Sequence, residues 1–517
     1  PEQIFDYNIK VSYFQARMIG DYVYFIVKEG VYYHPLHIDV PVVKEKKSVV
    51  VKPDIYYFDI PEQSYNFHTI ASFNINSESE DIQAKTFMLG YSNNLYVSKD
   101  NIYISYQKNP VYYRDQNKER FYKVVVPLLP REVKNEILDI KEDEDLSEEE
   151  KWDRISNIIE TMYNTMEEEE KEQLTAQIEK AVEEYERQLE AERRKTVIHK
   201  IAISDGKIDY VTRGEVPGYL LNQFSMDEHN GYLRVATTTY LWGSRLGGST
   251  MFNNVYVLDE ELGIVGRLEG LAEEERIYAT RFIGDRLYMV TFKRIDPFFV
   301  IDLSNPQEPK VLGKLKIPGY SDYLHPYDEN HIIGIGKETE TNDWGGVSVG
   351  PLKIALFDVS DVENPKLIDK YEIGEAGSDS EALRDHKAFL FSKEKNLLVI
   401  PVREVKDRRY YDKERGYWKQ NVWQGAYVFG LNPESGITLK GKITHYDGDE
   451  DYGYYYNSPW AVRRALYMDD VLYTVSARLI KMNDLNNINQ EVNSIELPYV
   501  EQHYYPSPWI TRGVEII

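Results

Sequence analysis

Apolar and polar residues alternate with a period of two along most of the chain, and the alternation recurs in one long phrase. Phe298–Pro318 reads F-F-V-I-D-L-S-N-P-Q-E-P-K-V-L-G-K-L-K-I-P, and Ile354–Ile373 reads I-A-L-F-D-V-S-D-V-E-N-P-K-L-I-D-K-Y-E-I. Each is an apolar strand closed by Asp, then a turn of polar residues and Pro, then a second strand of alternating character. Weaker copies lie at Ile55–Phe73, Val197–Val211, Val255–Leu268, Ala426–Ile443 and Leu479–Leu497. A hairpin-like stretch precedes each copy, clearest at Tyr278–Thr291 (Y-A-T-R-F-I-G-D-R-L-Y-M-V-T). A unit that recurs with four short strands per copy predicts an all-β fold, a β-propeller.

The pattern predicts seven complete four-stranded blades. Their hairpins begin near Arg17–Val27, Leu95–Tyr106, Tyr232–Thr238, Arg281–Phe292, His331–Gly336, Leu397–Val402 and Val471–Ser476. The leading segment P-E-Q-I-F-D-Y-N-I-K-V resembles the last strand of a repeat entered after its turn, so the chain reads as trimmed or processed ahead of Pro1. That orphan strand, Ile4–Val11, needs companions, from the tail Tyr499–Ile517 or from another chain. Between Pro130 and Thr196 the pattern changes: there is no Gly or Pro, and Glu dominates. Ser147-Glu-Glu-Glu150 reads as a capping box, followed by Trp152, Ile155, Ile159, Met162 and Met166 at helical spacing. A second stripe runs through Leu174, Ile178, Ala181, Tyr185 and Leu189, with Thr165 as its expected helix start. The expectation is an α-helical hairpin inserted in the second blade, either a lid on the propeller or a docking arm whose apolar seam receives a partner. The resulting organisation is propeller over 1–130, helical insertion over 131–196, propeller over 197–498 and a tail, a candidate closing strand, over 499–517.

Composition narrows the function classes. A net charge of -25 with no basic stripe excludes a nucleic-acid surface. No apolar run is long enough to span a membrane. The absence of cysteine removes disulfides, thiolate metal sites and cysteine nucleophiles together. With 43 tyrosines, many strands are expected to cover neighbouring chain with aromatic rings.

Three longer phrases are specific. They are L-N-Q-F-S-M-D-E-H-N-G-Y-L-R-V-A-T-T (Leu221–Thr238), the stretch Gly266–Phe292, and G-S-D-S-E-A-L-R-D-H-K-A-F-L-F-S (Gly377–Ser392) running on to Val402. With them the chain resembles a secreted prokaryotic, archaeal-type β-propeller family distantly related to WD40 repeats. The resemblance implies an exported protein, extracellular or at the cell surface, whose signal peptide has been removed. It also implies one leading repeat more than this chain carries, hence eight blades overall with seven supplied here. The resemblance assigns no catalytic residues.

Candidate chemistry sits where first strands and their preceding turns would line a channel: Arg17, Asn222, Gln223, Arg281, His325, Asp385, His386 and Arg464. Two histidines and an aspartate converging there suit acid–base work or a transition metal. The alternative is that these groups bond backbone or pair with one another in the wall. Asp447, Asp449 and Asp451 alternate in a turn and suit Ca²⁺, although Ser458 stands where an EF-hand needs Glu; a solvated acidic loop is the plainer reading. No G-x-S-x-G elbow or phosphate loop is present.

Two functions follow as expectations. One is a non-enzymatic binding or scaffold propeller, its protein partner or self-assembly mediated by the N-terminal strand or the helical insertion. The other is an extracellular hydrolase or lyase using His325, Asp385, His386 and Arg281.

Overall fold

The structure is a computed structural model that describes residues 7–9, 11–32, 40–45, 48–77, 82–92, 94–109, 116–243, 248–292, 296–317, 319–341, 347–407, 410–412, 417–446, 448 and 458–499. Seven sheets of at least four strands follow one another along the chain. Blade 1 contains Ser12–Ile19, Tyr22–Gly30, Tyr65–Asn74 and Gln83–Gly90; blade 2 contains Asn94–Val97, Asn101–Gln107, Lys195–Ser204 and Lys207–Pro217. Blades 3, 4 and 5 begin at Met226, Arg276 and Tyr320, and blades 6 and 7 at Leu390 and Arg464. The blade hairpins thus fall where the apolar alternation places them. The chain divides into two compact units, Pro1–Ile277 with Gly284–Arg286 and Asp302–Lys310, and Tyr278–Ile283 with Leu287–Ile301 and Val311–Ile517.

The recurring Asp has a defined task. At the end of the third strand in six blades, Asn74, Asp259, Asp302, Asp358, Asn432 and Asp484 each accept, through the side chain, the backbone N–H two residues on, at 2.8–3.1 Å. This Asx turn stops the strand and reverses the chain. Blade 2 uses Asp205-Gly206 instead, with φ of 47° and 80°, a two-residue turn matched to strand twist.

A second recurrence joins consecutive blades. An added Cβ on Gly266, in the last strand of blade 3, would lie 2.0 Å from the Pro306 carbonyl oxygen in the blade 4 turn. An added Cβ on Gly313, in the last strand of blade 4, would lie equally close to the Val362 carbonyl oxygen of the blade 5 turn. Gly214 against Leu262 and Gly441 against Ile488 repeat the arrangement less tightly. The core lies between blade faces: Ile70, Phe87, Ile102 and Ile201 between blades 1 and 2, Tyr288, Phe298, Ala355 and Phe357 between blades 4 and 5. The last strand of blade 7, Asn487–Glu496, is exposed along nearly all its length.

Three expectations change. The copy at Ile55–Phe73 is not a strand pair: Asp54–Tyr57 runs parallel to Gln83–Gly90 as a fifth strand of blade 1, and Tyr65–Asn74 is its third. The described part of the orphan strand, Tyr7–Asn8, pairs within the chain with Lys44 and Glu45. The insertion is more than a hairpin. It comprises α1 (Gln116–Arg120), a wide and then a tight turn to Leu128, α2 (Arg131–Glu142), α3 (Glu148–Thr165) and α4 (Glu168–Arg193). It leaves blade 2 between its second and third strands and returns directly into Lys195. Val126, Leu129, Ile137 and Ile155 form its own small core. The Ser147–Glu150 capping box is present, whereas α4 starts from a box at Glu167 rather than at Thr165.

Candidate functional site

The sequence candidates fall into two separate groups, one in each compact unit. In the second unit, two short 3₁₀ turns precede the first strand of blade 6. Ser380 caps one by accepting from the Ala382 N–H at 3.2 Å, and Asp385 caps the other by accepting from the Lys387 N–H at 2.9 Å. The turns present Glu381 and Asp385 together, and Arg464 of blade 7 spans them. Its guanidinium donates to Glu381 Oε1 at 3.2 Å and to Asp385 Oδ2. Arg463 adds a longer contact to Glu381 at 3.9 Å. On the other side Asp379 pairs with Lys337 at 3.3 Å and Arg384 at 2.8 Å. Glu381, Arg403, Gln424 and Arg463 enclose a crevice of only about 10 Å³, room for about one water. The Gln424 amide is used on both sides by Val462, its Nε2 donating and its Oε1 accepting at 2.9 Å.

His325 lies in the first strand of blade 5, and its Nδ1 is bonded to the Tyr323 hydroxyl at 3.1 Å. Its ring packs on Phe389 at 4.8 Å and Phe391 at 5.4 Å. Burial, and secondarily the nearby Arg281 charge, lowers its pKa to about 4, so the ring is neutral near pH 7. The Arg281 charge thus acts on His325, while Asp385 is committed to Arg464; His386 opens the turn that Asp385 caps and is half-buried.

In the first unit, Gln15 Nε2 donates to Gln223 Oε1 at 3.1 Å, and Asn222 caps the turn at 223–225 by accepting from Phe224 at 2.9 Å. The Arg17 guanidinium donates to the Ala16 carbonyl at 2.9 Å, and its burial pushes its pKa down. Gln15 and Gln223 thus bond to one another, while Asn222 and Arg17 bond local backbone. Asp447, Asp449 and Asp451 lie outside the described residues; among the described residues no group of three or more His, Asp or Glu could hold a metal ion.

A third cluster escaped the sequence reading. His68 and His199 are buried between blades 1 and 2. His68 Nε2 meets Ser92 Oγ at 2.5 Å, and His199 bridges the Tyr210 hydroxyl at 3.2 Å and that of Tyr106 at 3.4 Å. Burial lowers both histidines to about 3, helped by Lys28 for His68 and by Arg213 for His199. Nearby Glu62 accepts from the Asn109 N–H at 2.9 Å, and burial raises its pKa. Lys108 pairs with Glu215 at 3.1 Å and Glu192 at 3.3 Å, tying the end of α4 to the blade. The cluster roots the insertion rather than opening to solvent. Its only sequence signal is a histidine at an apolar strand position, as in Y-N-F-H-T-I-A.

Seven consecutive sheets, each built on four antiparallel strands and packed turn against glycine at four junctions, define a β-propeller. The chain belongs to the Beta propeller domain family, whose model matches residues 1–488. It is 35% identical over 515 residues to an uncharacterized protein of Methanocaldococcus jannaschii, covering 96% of this chain and 72% of that one. It is 31% identical over 491 residues to an uncharacterized protein of Archaeoglobus fulgidus, covering 94% and 68%.

Proposed function

We propose that this chain is an exported or cell-surface binding and scaffold propeller without catalytic activity of its own. The observation that carries the reading is how the polar groups of the turns before blade 6, of Lys337 in blade 5 and of Arg464 in blade 7 are used. Arg464 is paired with Glu381 and Asp385, and Asp379 with Arg384 and Lys337, while the crevice that Glu381 lines with Arg403, Gln424 and Arg463 holds only about 10 Å³. His325, which a hydrolase or lyase would need as acid or base, is packed against Phe389 and Phe391 with its Nδ1 taken by the Tyr323 hydroxyl. Among the described residues, open concave surface lies on the helical insertion. The resemblance to secreted propellers supports export, and the acidic surface suits it.

Protease treatment of intact native cells, followed by immunoblotting, tests the location. Loss of the protein from intact cells is expected; protection until lysis would overturn the surface assignment. Arg464→Ala and His325→Phe variants test the second half of the reading. Both are expected to retain whatever partner the native protein co-purifies with. A polymer-degrading activity of the wild type that His325→Phe abolishes would replace this reading with an enzymatic one.

A further inference from the structure

A trough runs along the joint between α2 and α3. At one end Pro130, Val133, Ile158, Met162 and Met166 line an opening of about 730 Å³. At the other, Ile140 and Ile158 lie with Asp143 and Arg154 around about 370 Å³. Glu136, Asn157 and Ile158 line both, so the two are continuous along the 12 residues of α2, roughly 18 Å at 1.5 Å per residue. Ile137 and Ile155 of the same helices are buried in the insertion's core, whereas Val133, Ile140, Ile158 and Met162 are only partly covered. The Thr161 and Thr165 hydroxyls donate to carbonyls of their own helix, to Asn157 at 2.7 Å and Met162 at 2.8 Å, and so are satisfied.

The charge along this trough is mainly acidic, four carboxylates against Arg131 and Arg154. Glu132, Glu136, Asp139 and Asp143 recur at spacings of four, three and four, which place them on one face of α2. Like charges so spaced weaken a helix, and no ion pair among the described residues engages Glu132, Glu136 or Asp139. A second copy of the chain is a poor occupant, because residues 131–193 carry 23 Asp and Glu against nine Lys and Arg. The missing complement is cationic and apolar at once. We propose that the trough receives an amphipathic α-helix of a partner protein, about three turns long, with aliphatic side chains in the trough and Lys or Arg facing the α2 carboxylates. Met162 and Met166 suit this role, since thioether side chains repack around differing partners. The inference rests on the reading of the chain as a binding scaffold and names its partner chemistry.

Fluorescence anisotropy on the purified full chain tests it. The probes are a dye-labelled helical peptide of about 14 residues, Leu on one face and Lys on the other, and its counterpart with Glu for Lys. Saturable one-to-one binding of the lysine peptide is expected, with the glutamate peptide at least about tenfold weaker. Ile158→Glu with Met162→Glu should weaken binding about tenfold or more while the helical circular dichroism stays unchanged. Should that variant lose helix, Glu132→Lys with Glu136→Lys, at exposed positions, provides the second arm and should shift preference towards the glutamate peptide. Absence of saturable binding overturns the proposal. So does equal binding to wild type and a folded Ile158→Glu/Met162→Glu protein, since that is diffuse charge attraction without a groove. The assay needs no native partner or location, so its failure would leave the surface-scaffold reading intact, and the failure of that reading would leave the groove intact.

Discussion

Gly266 and Gly313 show how one residue type fixes the spacing of blades. Each sits where the Pro-containing turn of the next blade presses a carbonyl oxygen onto its α-carbon, so any Cβ would overlap backbone at 2.0 Å. Backbone cannot swing aside as a side-chain tip does. Gly313→Ala should therefore destabilise the chain by about 1–3 kcal/mol through overpacking, whereas Gly270→Ala, with nothing within 4 Å but φ of +75°, tests the separate cost of a left-handed backbone. Guanidinium denaturation of both variants checks this, and an unchanged midpoint for Gly313→Ala would refute the close approach. The buried histidines supply a second residue-scale prediction. His68 and His199 titrate in the fold at about 3, and His325 at about 4, as does His445, which is buried with its Nε2 at 2.8 Å from the Thr474 hydroxyl. Unfolded, each takes a proton near pH 6.5. The folded pKa is depressed, so the stability from the neutral ring is full above about pH 6.5 and is lost as pH falls toward 3–4, by about 1.4 kcal/mol per pH unit per histidine. The denaturation midpoint should fall between pH 7 and 5, and His199→Phe should make that fall shallower. An unchanged slope in the variant would mean the ring is charged in the fold.

Among elements, the helical insertion separates what sequence can disclose from what it cannot. The α3 start was legible because its signal is local: Ser147 Oγ accepts from the Glu150 N–H at 3.3 Å, and Glu150 Oε2 accepts from the Ser147 N–H at 2.9 Å. Ser147→Ala should cost about 1 kcal/mol of helix stability, seen as earlier loss of the 222 nm dichroism on heating with near-ultraviolet bands of the blades unmoved; a joint shift of both would mean the insertion and blades melt as one unit. The α2 helix was not legible, because Pro130 at its start provides no side-chain cap and the charge run Glu142–Asp145 hides its end. Blades were legible for a related reason, since the Asx turn that closes the third strand is a contact between residues two apart. The candidate site follows the opposite rule. Asp385 and Arg464 stood out individually, but their pairing joins residues 79 apart, and the Arg464–Glu381 pair joins residues 83 apart. Burial of His68 and His199 likewise depends on which faces of blades 1 and 2 meet, and period-two alternation shows only that a face is covered.

For the whole molecule, electrostatics pull in two directions, and magnitude decides between them. The net charge of -25 makes the folded chain repel itself, with the insertion contributing 23 of the 86 acidic residues. Against this stand partly exposed ion pairs such as Arg120–Glu186 at 2.6 Å and Lys108–Glu215 at 3.1 Å, each worth roughly 0–1 kcal/mol. Salt screens both. Raising ionic strength from about 0.01 to 0.15 M shortens the Debye length from about 30 to 8 Å, which removes repulsion across the surface while contacts within 4 Å keep much of their attraction. The unfolding midpoint at pH 7 should therefore rise with NaCl, and rise less in a Glu132→Gln/Glu136→Gln/Asp139→Asn variant that has already lost part of the repulsion. A midpoint that falls with salt would show that the paired networks, Arg464 with Glu381 and Asp385 foremost, contribute more to stability than the self-repulsion takes away. The propeller would then be held by its ion pairs as well as by its blade cores.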